Sequence, residues 1–126
     1  MSAEQANRKI KEDIEELLMH REPSEAEGYF SSLPLEFRWQ LVQELVSKAI
    51  DAKPADVQLV SDVFRVAVSN SLVDEAQFSQ GFTQEMEYLE DTRIDSPNAY
   101  GNIASLLKAA NLSQEAVERY AYCSLF

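Results

Sequence analysis

The chain has 126 residues, enough for one domain of ordinary size, and 45% of them are hydrophobic, which excludes a disordered tail. Its 22 acidic residues outnumber 11 basic ones for a formal net charge of -11, and the basic residues are scattered, so direct nucleic-acid binding is not expected. No apolar run approaches the roughly 18 to 20 residues of a membrane span, Met1 to Arg8 carries no signal-peptide-like apolar stretch, and the one cysteine, Cys123, rules out an internal disulfide and points to a reduced, cytoplasmic setting.

Ile10, Ile14, Leu17 and Leu18 form the stripe of a first helix. Pro23 breaks it, and Ser24-Glu25-Ala26-Glu27 reads as a capping box opening a short second helix. Pro34, at a first-turn position where no amide is needed, starts a third. Its face is Phe37, Leu41, Leu45 and Ala49, broadened by Val42, Val46 and Ile50, as expected of a helix packed on more than one side. After Pro54, Val57, Val60, Val63, Phe64 and Ala67 recur at three and four, so a helix is predicted despite the valines, with Leu72 closing its end. Asp74-Glu75-Ala76-Gln77 is a second capping box; Phe78, Phe82, Met86 and Leu89 follow on a fifth helix ending near Asp91. Ser96-Pro97 opens a sixth with Ile103, Leu106, Leu107 and Ala110 on its buried side, and Ser113 opens a seventh carrying Val117 and Tyr120. About seven helices joined by short loops predict an all-α fold, a stack of antiparallel helical hairpins filling residues 1–126 as one domain, with 113–126 as the final helix.

Catalytic chemistry is poorly supported. His20 and Cys123 stand at opposite ends of the chain with nothing around either to suggest a nucleophilic pair, so Cys123 is read as a packing residue and His20 as sitting near the first helix's C-terminal carbonyls. The glycines, Gly28, Gly81 and Gly101, lie too far apart for a phosphate loop, and no zinc pattern is present. Glu16 and His20 share a helix face at a spacing of four, but two ligands without a third make a weak site. The acids Glu85, Glu87, Glu90, Asp91 and Asp95 lack the glycine and alternation of a calcium loop. The aromatics Phe30, Phe37, Trp39, Phe64, Phe78 and Phe82 fall on helical stripes and are expected in the core. No cofactor and no resident metal are implied, and the chain is not expected to be an enzyme; a small acidic metal-binding or enzymatic domain is the alternative from another class.

The stretch from Phe78 to Ala99 stands apart. An apolar helix face runs into a short acidic turn, and Asp91 and Asp95 lie four apart across it, placed to receive arginine or lysine from a partner. A purely structural role is also open: Asp91 terminates one helix while Asp95 favours the N-terminus of the next. The pattern Phe78, Gly81, Phe82, then Glu90-Asp91-Thr92-Arg93-Ile94-Asp95-Ser96-Pro97 resembles the MA-3 domain. Upstream, Glu25-Ala26, Leu33-Pro34, Leu41-Val42-Gln43-Glu44-Leu45-Val46, Val60-Ser61 and Val73-Asp74 through Phe78 fit in the same order, so the resemblance spans about residues 8–112.

The resemblance implies a stack of HEAT-like hairpins that acts as a protein-interaction module in translation initiation. Its implied partner is the DEAD-box RNA helicase, factor 4A. It implies that Asp91 and Asp95, with Glu90 beside them, contact that helicase and that Pro97 shapes the turn. The turn looks closer to the initiation factor 4G scaffolds than to the programmed cell death 4 translational inhibitor, and the inhibitory role is the alternative reading. Docking onto other domains of a larger parent chain is a further one. Arg93 between the two aspartates and Ser96 before the proline depart from the family pattern.

Overall fold

The first helix starts earlier than its large apolar residues suggest. Helix α1 spans Ala3–His20, and Ser2 caps it: the Ser2 hydroxyl accepts from the Gln5 amide at 3.2 Å, while the Gln5 side chain accepts from the Ser2 amide at 2.8 Å. Two first-turn donors are thereby satisfied reciprocally. Ala6, Ile10, Ile14 and Leu17 are its buried stripe. The helix ends on Arg21, a non-glycine residue in the left-handed region at φ 58°, whose amide donates back to the Leu17 carbonyl.

The computed structural model describes residues 1–50, 52–87 and 99–110, with side chains described through residue 83 in the second stretch and from residue 101 in the third. After α1 come a 3-10 turn, Pro23–Glu25, and α2, Ala26–Ser31. A second 3-10 turn, Leu35–Phe37, leads into α3, Arg38–Ala49; then come α4, Pro54–Ser69, α5, Glu75–Glu87, and α6, Ala99–Ala109. The fold is all-α: six helices pack together, with no strand among the described residues. The start of the sixth helix at Ser96-Pro97, the end of the fifth near Asp91 and the seventh helix fall outside the described residues.

Two local expectations are corrected. Ser24 does not cap α2, because it lies inside the 3-10 turn, and no side chain caps either element there. The Ala26 amide instead donates to the Pro23 carbonyl, so the turn feeds directly into the helix and supplies the acceptors a cap would offer. Pro34 does not begin α3 either. At φ -55° and ψ 148° it precedes the second 3-10 turn, and α3 opens four residues later at Arg38.

The helices sort into two rows. The described contacts join α1 to α3 and α3 to α5 in one row, and α2 to α4 and α4 to α6 in the other. This is the arrangement of stacked hairpins, in which first helices pack on first helices and second on second. The core runs between the rows. Phe64 of α4 meets two rings of α5 edge-on, Phe78 at 5.4 Å and Phe82 at 6.0 Å between centroids, a geometry favoured by the ring quadrupoles. Leu41, Val42, Leu45, Val46 and Ala49 are all buried, so α3 packs on more than one side as its wide stripe predicts. Phe37 and Trp39 are only half-buried, unlike Phe30, Phe64, Phe78 and Phe82. An ion pair, Arg21 Nη2 to Asp56 Oδ1 at 2.8 Å, ties the end of α1 to the first turn of α4.

Candidate functional site

Residues 88–98 join α5 to α6, and the anchoring of those two helices begins with Gly81. A Cβ built there would lie 2.5 Å from Val42 Cγ1 and 3.0 Å from the Trp39 carbonyl oxygen. Only a residue without a side chain lets α5 come this close to α3. The glycine of the Phe78-Gly81-Phe82 motif is therefore a packing requirement, and the two phenylalanines beside it are the rings that clasp Phe64.

The start of α5 is fixed by Asp74, whose Oδ1 accepts from the Gln77 amide at 2.8 Å. The reciprocal half of that capping box is absent: Gln77 Nε2 reaches across to the Leu35 carbonyl at 2.6 Å, bonding α5 to the turn before α3. Arg38 draws the same region together, donating from Nε to the Leu33 carbonyl at 3.1 Å and from Nη1 to the Leu72 carbonyl at 2.8 Å. On the other side, Ile103, Leu106, Leu107, Ala109 and Ala110 bury one face of α6. Asn102 Nδ2 donates into the carbonyls that close α3, at 3.0 Å to Ile50, 3.3 Å to Ala52 and 3.4 Å to Ala49. Carbonyls at a helix C-terminus lack intrahelical partners, and of these three Ala49 also accepts from the Ala52 amide at 3.2 Å. Nothing in the sequence pattern singled Asn102 out, since a polar residue on a helix shows no spacing signal for a contact about fifty residues away.

The predicted partner-binding residues Glu90, Asp91, Asp95 and Pro97, along with Cys123, lie outside the described residues. Glu85 and Glu87 fall on the last turn of α5.

A second polar cluster forms at the end of α1. His20, the last residue of α1, sits in its final turn near the C-terminal carbonyls, as expected. Its Nδ1 faces Glu25, 3.1 Å from Oε1 and 3.2 Å from Oε2, with Glu16 Oε1 at 3.9 Å. Glu25 arrives from the 3-10 turn, so the Glu16 and His20 pair gains a neighbour that helical spacing alone does not show. The Tyr29 hydroxyl donates to Glu25 Oε2 at 2.7 Å. That hydrogen bond, with a smaller contribution from His20, holds the Glu25 carboxyl below the usual carboxylate range. Tyr29 is pushed the other way: burial, and then the Glu25 charge it faces, raise its hydroxyl well above the ordinary tyrosine value.

With this geometry in place, one comparison decides the family. The model of the MA3 domain matches residues 6–116. The chain belongs to the MA3 domain family. MA3 domains are non-catalytic protein-interaction modules of the scaffold and inhibitor proteins of translation initiation, they bind factor 4A-type helicases as a class, and no catalytic family matches. Neither curated proteins nor solved structures yield a match, so the parent protein is not narrowed to the scaffold or the inhibitor. Among the described residues no helix is long and apolar enough to cross a membrane.

Proposed function

We propose that this MA3 domain binds the DEAD-box RNA helicase of translation initiation, factor 4A, as a cytoplasmic module of a factor 4G-type scaffold. The observation that carries the reading is the family match across residues 6–116, because the acidic motif Glu90-Asp91 through Asp95-Ser96-Pro97 lies inside it. The charge balance agrees. A chain of net charge -11 attracts a basic protein surface over a Debye length and repels competing phosphate.

In this reading Asp91 and Asp95, with Glu90 beside them, receive arginine or lysine side chains of the helicase, and Pro97 shapes the turn that presents them. Charge-assisted contacts of this kind are shorter and stronger than neutral ones. The domain adds no chemistry. By binding one arrangement of the helicase's two halves better than the other, it shifts their equilibrium by the difference in affinity.

The test is a pull-down of purified factor 4A by the domain and by the Asp91→Ala/Asp95→Ala double variant, at low and raised salt. Truncating one partner of a buried interfacial charge pair costs about 2–5 kcal/mol, so the variant should lose measurable binding and the parent's binding should weaken with salt. Equal binding by parent and variant would remove these residues from the interface. An unwinding assay separates the scaffold reading from the inhibitory one, since only an inhibitor domain strongly suppresses the helicase.

A further inference from the structure

The geometry points to a divalent transition-metal site at the end of α1, built by Glu16, His20 and Glu25. One ligand-capable atom from each of the three lies within 4.8 Å of the others. They converge for reasons visible in the chain. Glu16 and His20 are four apart on α1 and so share a face. The left-handed Arg21 and the turn Pro23–Glu25 fold the chain back so that Glu25 covers the same face.

A salt bridge alone accounts poorly for this arrangement. Nδ1 of His20 can donate one hydrogen bond, yet both Glu25 oxygens and Glu16 Oε1 gather around it at 3.1, 3.2 and 3.9 Å. Two carboxylates and one imidazole nitrogen converge there, and a divalent cation held between them would serve all three. Arg21, the neighbouring cation, is turned to Asp56 instead.

Glu25 is also held as metal ligands are held. The Tyr29 hydroxyl donates to its Oε2 at 2.7 Å and steadies the rotation of a carboxylate whose two oxygens both face His20. Tyr29 is itself largely buried, so the support is fixed in the core.

The donor set names the metal. One imidazole and two carboxylates suit zinc or a neighbouring first-row ion, whereas calcium and magnesium prefer oxygen alone. Glu16, His20 and Glu25 all reach solvent, so water would complete a tetrahedral sphere. Binding would join α1 to the turn that leads into α2, and it stands independently of the helicase reading.

Zinc titration of the purified chain, followed by calorimetry and by NMR of its one histidine, tests the site. One equivalent should bind and shift the His20 ring signals. His20→Gln and Glu25→Gln should each weaken binding more than tenfold, Tyr29→Phe should weaken it about tenfold through the lost supporting bond, and Cys123→Ser should leave it unchanged. Far-UV circular dichroism confirms folding of each variant, and excess magnesium should not displace the zinc. Absence of saturable binding, unaltered binding in His20→Gln or Glu25→Gln, loss of binding in Cys123→Ser, or displacement by magnesium would each overturn the assignment.

Discussion

Replacing Gly81 with alanine tests whether α5 sits on α3 as closely as the fold requires. The added Cβ would lie 2.5 Å from Val42 Cγ1 and 2.7 Å from Val42 Cβ, against about 3.5–4.0 Å for ordinary carbon contacts. A rotamer change in Val42 can move Cγ1 but not Cβ, which is fixed to the backbone of α3. Val42 is fully buried, so it cannot swing out into solvent. The two helices must therefore separate by about 0.8 Å, the gap between 2.7 Å and the near edge of normal contact. Overpacking of this kind costs about 1–3 kcal/mol. Alanine returns about 0.8–1 kcal/mol of helix propensity, leaving a net loss of up to about 2 kcal/mol, or a fall in Tm of up to about 8 °C. Gly28 and Gly101 are internal controls, because a Cβ at either meets nothing within 4 Å. Their alanine variants should match the parent or gain up to about 1 kcal/mol. Urea denaturation followed by circular dichroism gives all three values, and Val42→Ala combined with Gly81→Ala should recover part of the loss through coupling of the two sites. If Gly81→Ala were as stable as Gly101→Ala, the close-approach argument would be wrong.

Asp74→Ala should cost about 1 kcal/mol in urea denaturation, the usual value of an N-cap, by leaving the Gln77 amide without its acceptor. Asn102→Ala should cost about 1–3 kcal/mol in the same assay, since the carbonyls of Ile50 and Ala52 lose this donor. Tyr29 has a raised hydroxyl pKa in the folded chain, so its contribution is complete below the ordinary tyrosine value near 10 and is lost as pH rises toward the folded value. Thermal melts should show the parent losing stability above about pH 10 more steeply than Tyr29→Phe. Glu25 has the opposite sign: its lowered pKa contributes above the ordinary carboxylate range and is lost as pH falls through it, an effect kept small by its exposure.

Helix faces were the most legible feature of the chain. Burial repeats at three and four wherever a helix lies against a core, so Leu41, Val42, Leu45 and Val46, or Ile103, Leu106 and Leu107, announce themselves. Caps were legible only where no competing turn intervenes. Asp74 caps α5 as its motif suggests, whereas the same motif at Ser24 is overridden by the 3-10 turn that Pro23 begins. Ser2 and Gln5 carry the motif too, but only the small Ala6 lies buried between them and the large apolar stripe that begins at Ile10. Contacts between elements were the least legible. Gln77 to Leu35, Asn102 to the end of α3, and Glu25 to His20 depend on how rows of helices stack and on where a turn redirects the chain. The acidic motif was legible as a pattern of residue types inside the matched span, and its contact with a helicase is a proposal.

The fold also decides how a binding measurement on this chain should be read. The anchors of α5 and α6 are buried rings, a glycine contact and hydrogen bonds onto carbonyls of α3, and none of them uses a carboxylate of residues 88–98. Charge can therefore be removed at Asp91 and Asp95 without removing any of these contacts. A loss of helicase binding in those variants, with an unchanged urea midpoint, reports on the interface itself. Gly81→Ala and Asn102→Ala act in the reverse sense, on the helices that carry the two ends of the segment. Binding that falls in both classes would mean that the placement of the acids matters as well as their charge, because an interface organised before binding does not have to be ordered during it. Binding that falls only in the aspartate variants, and only at low salt, would mean that long-range attraction dominates. The two readings make opposite demands on the same set of variants.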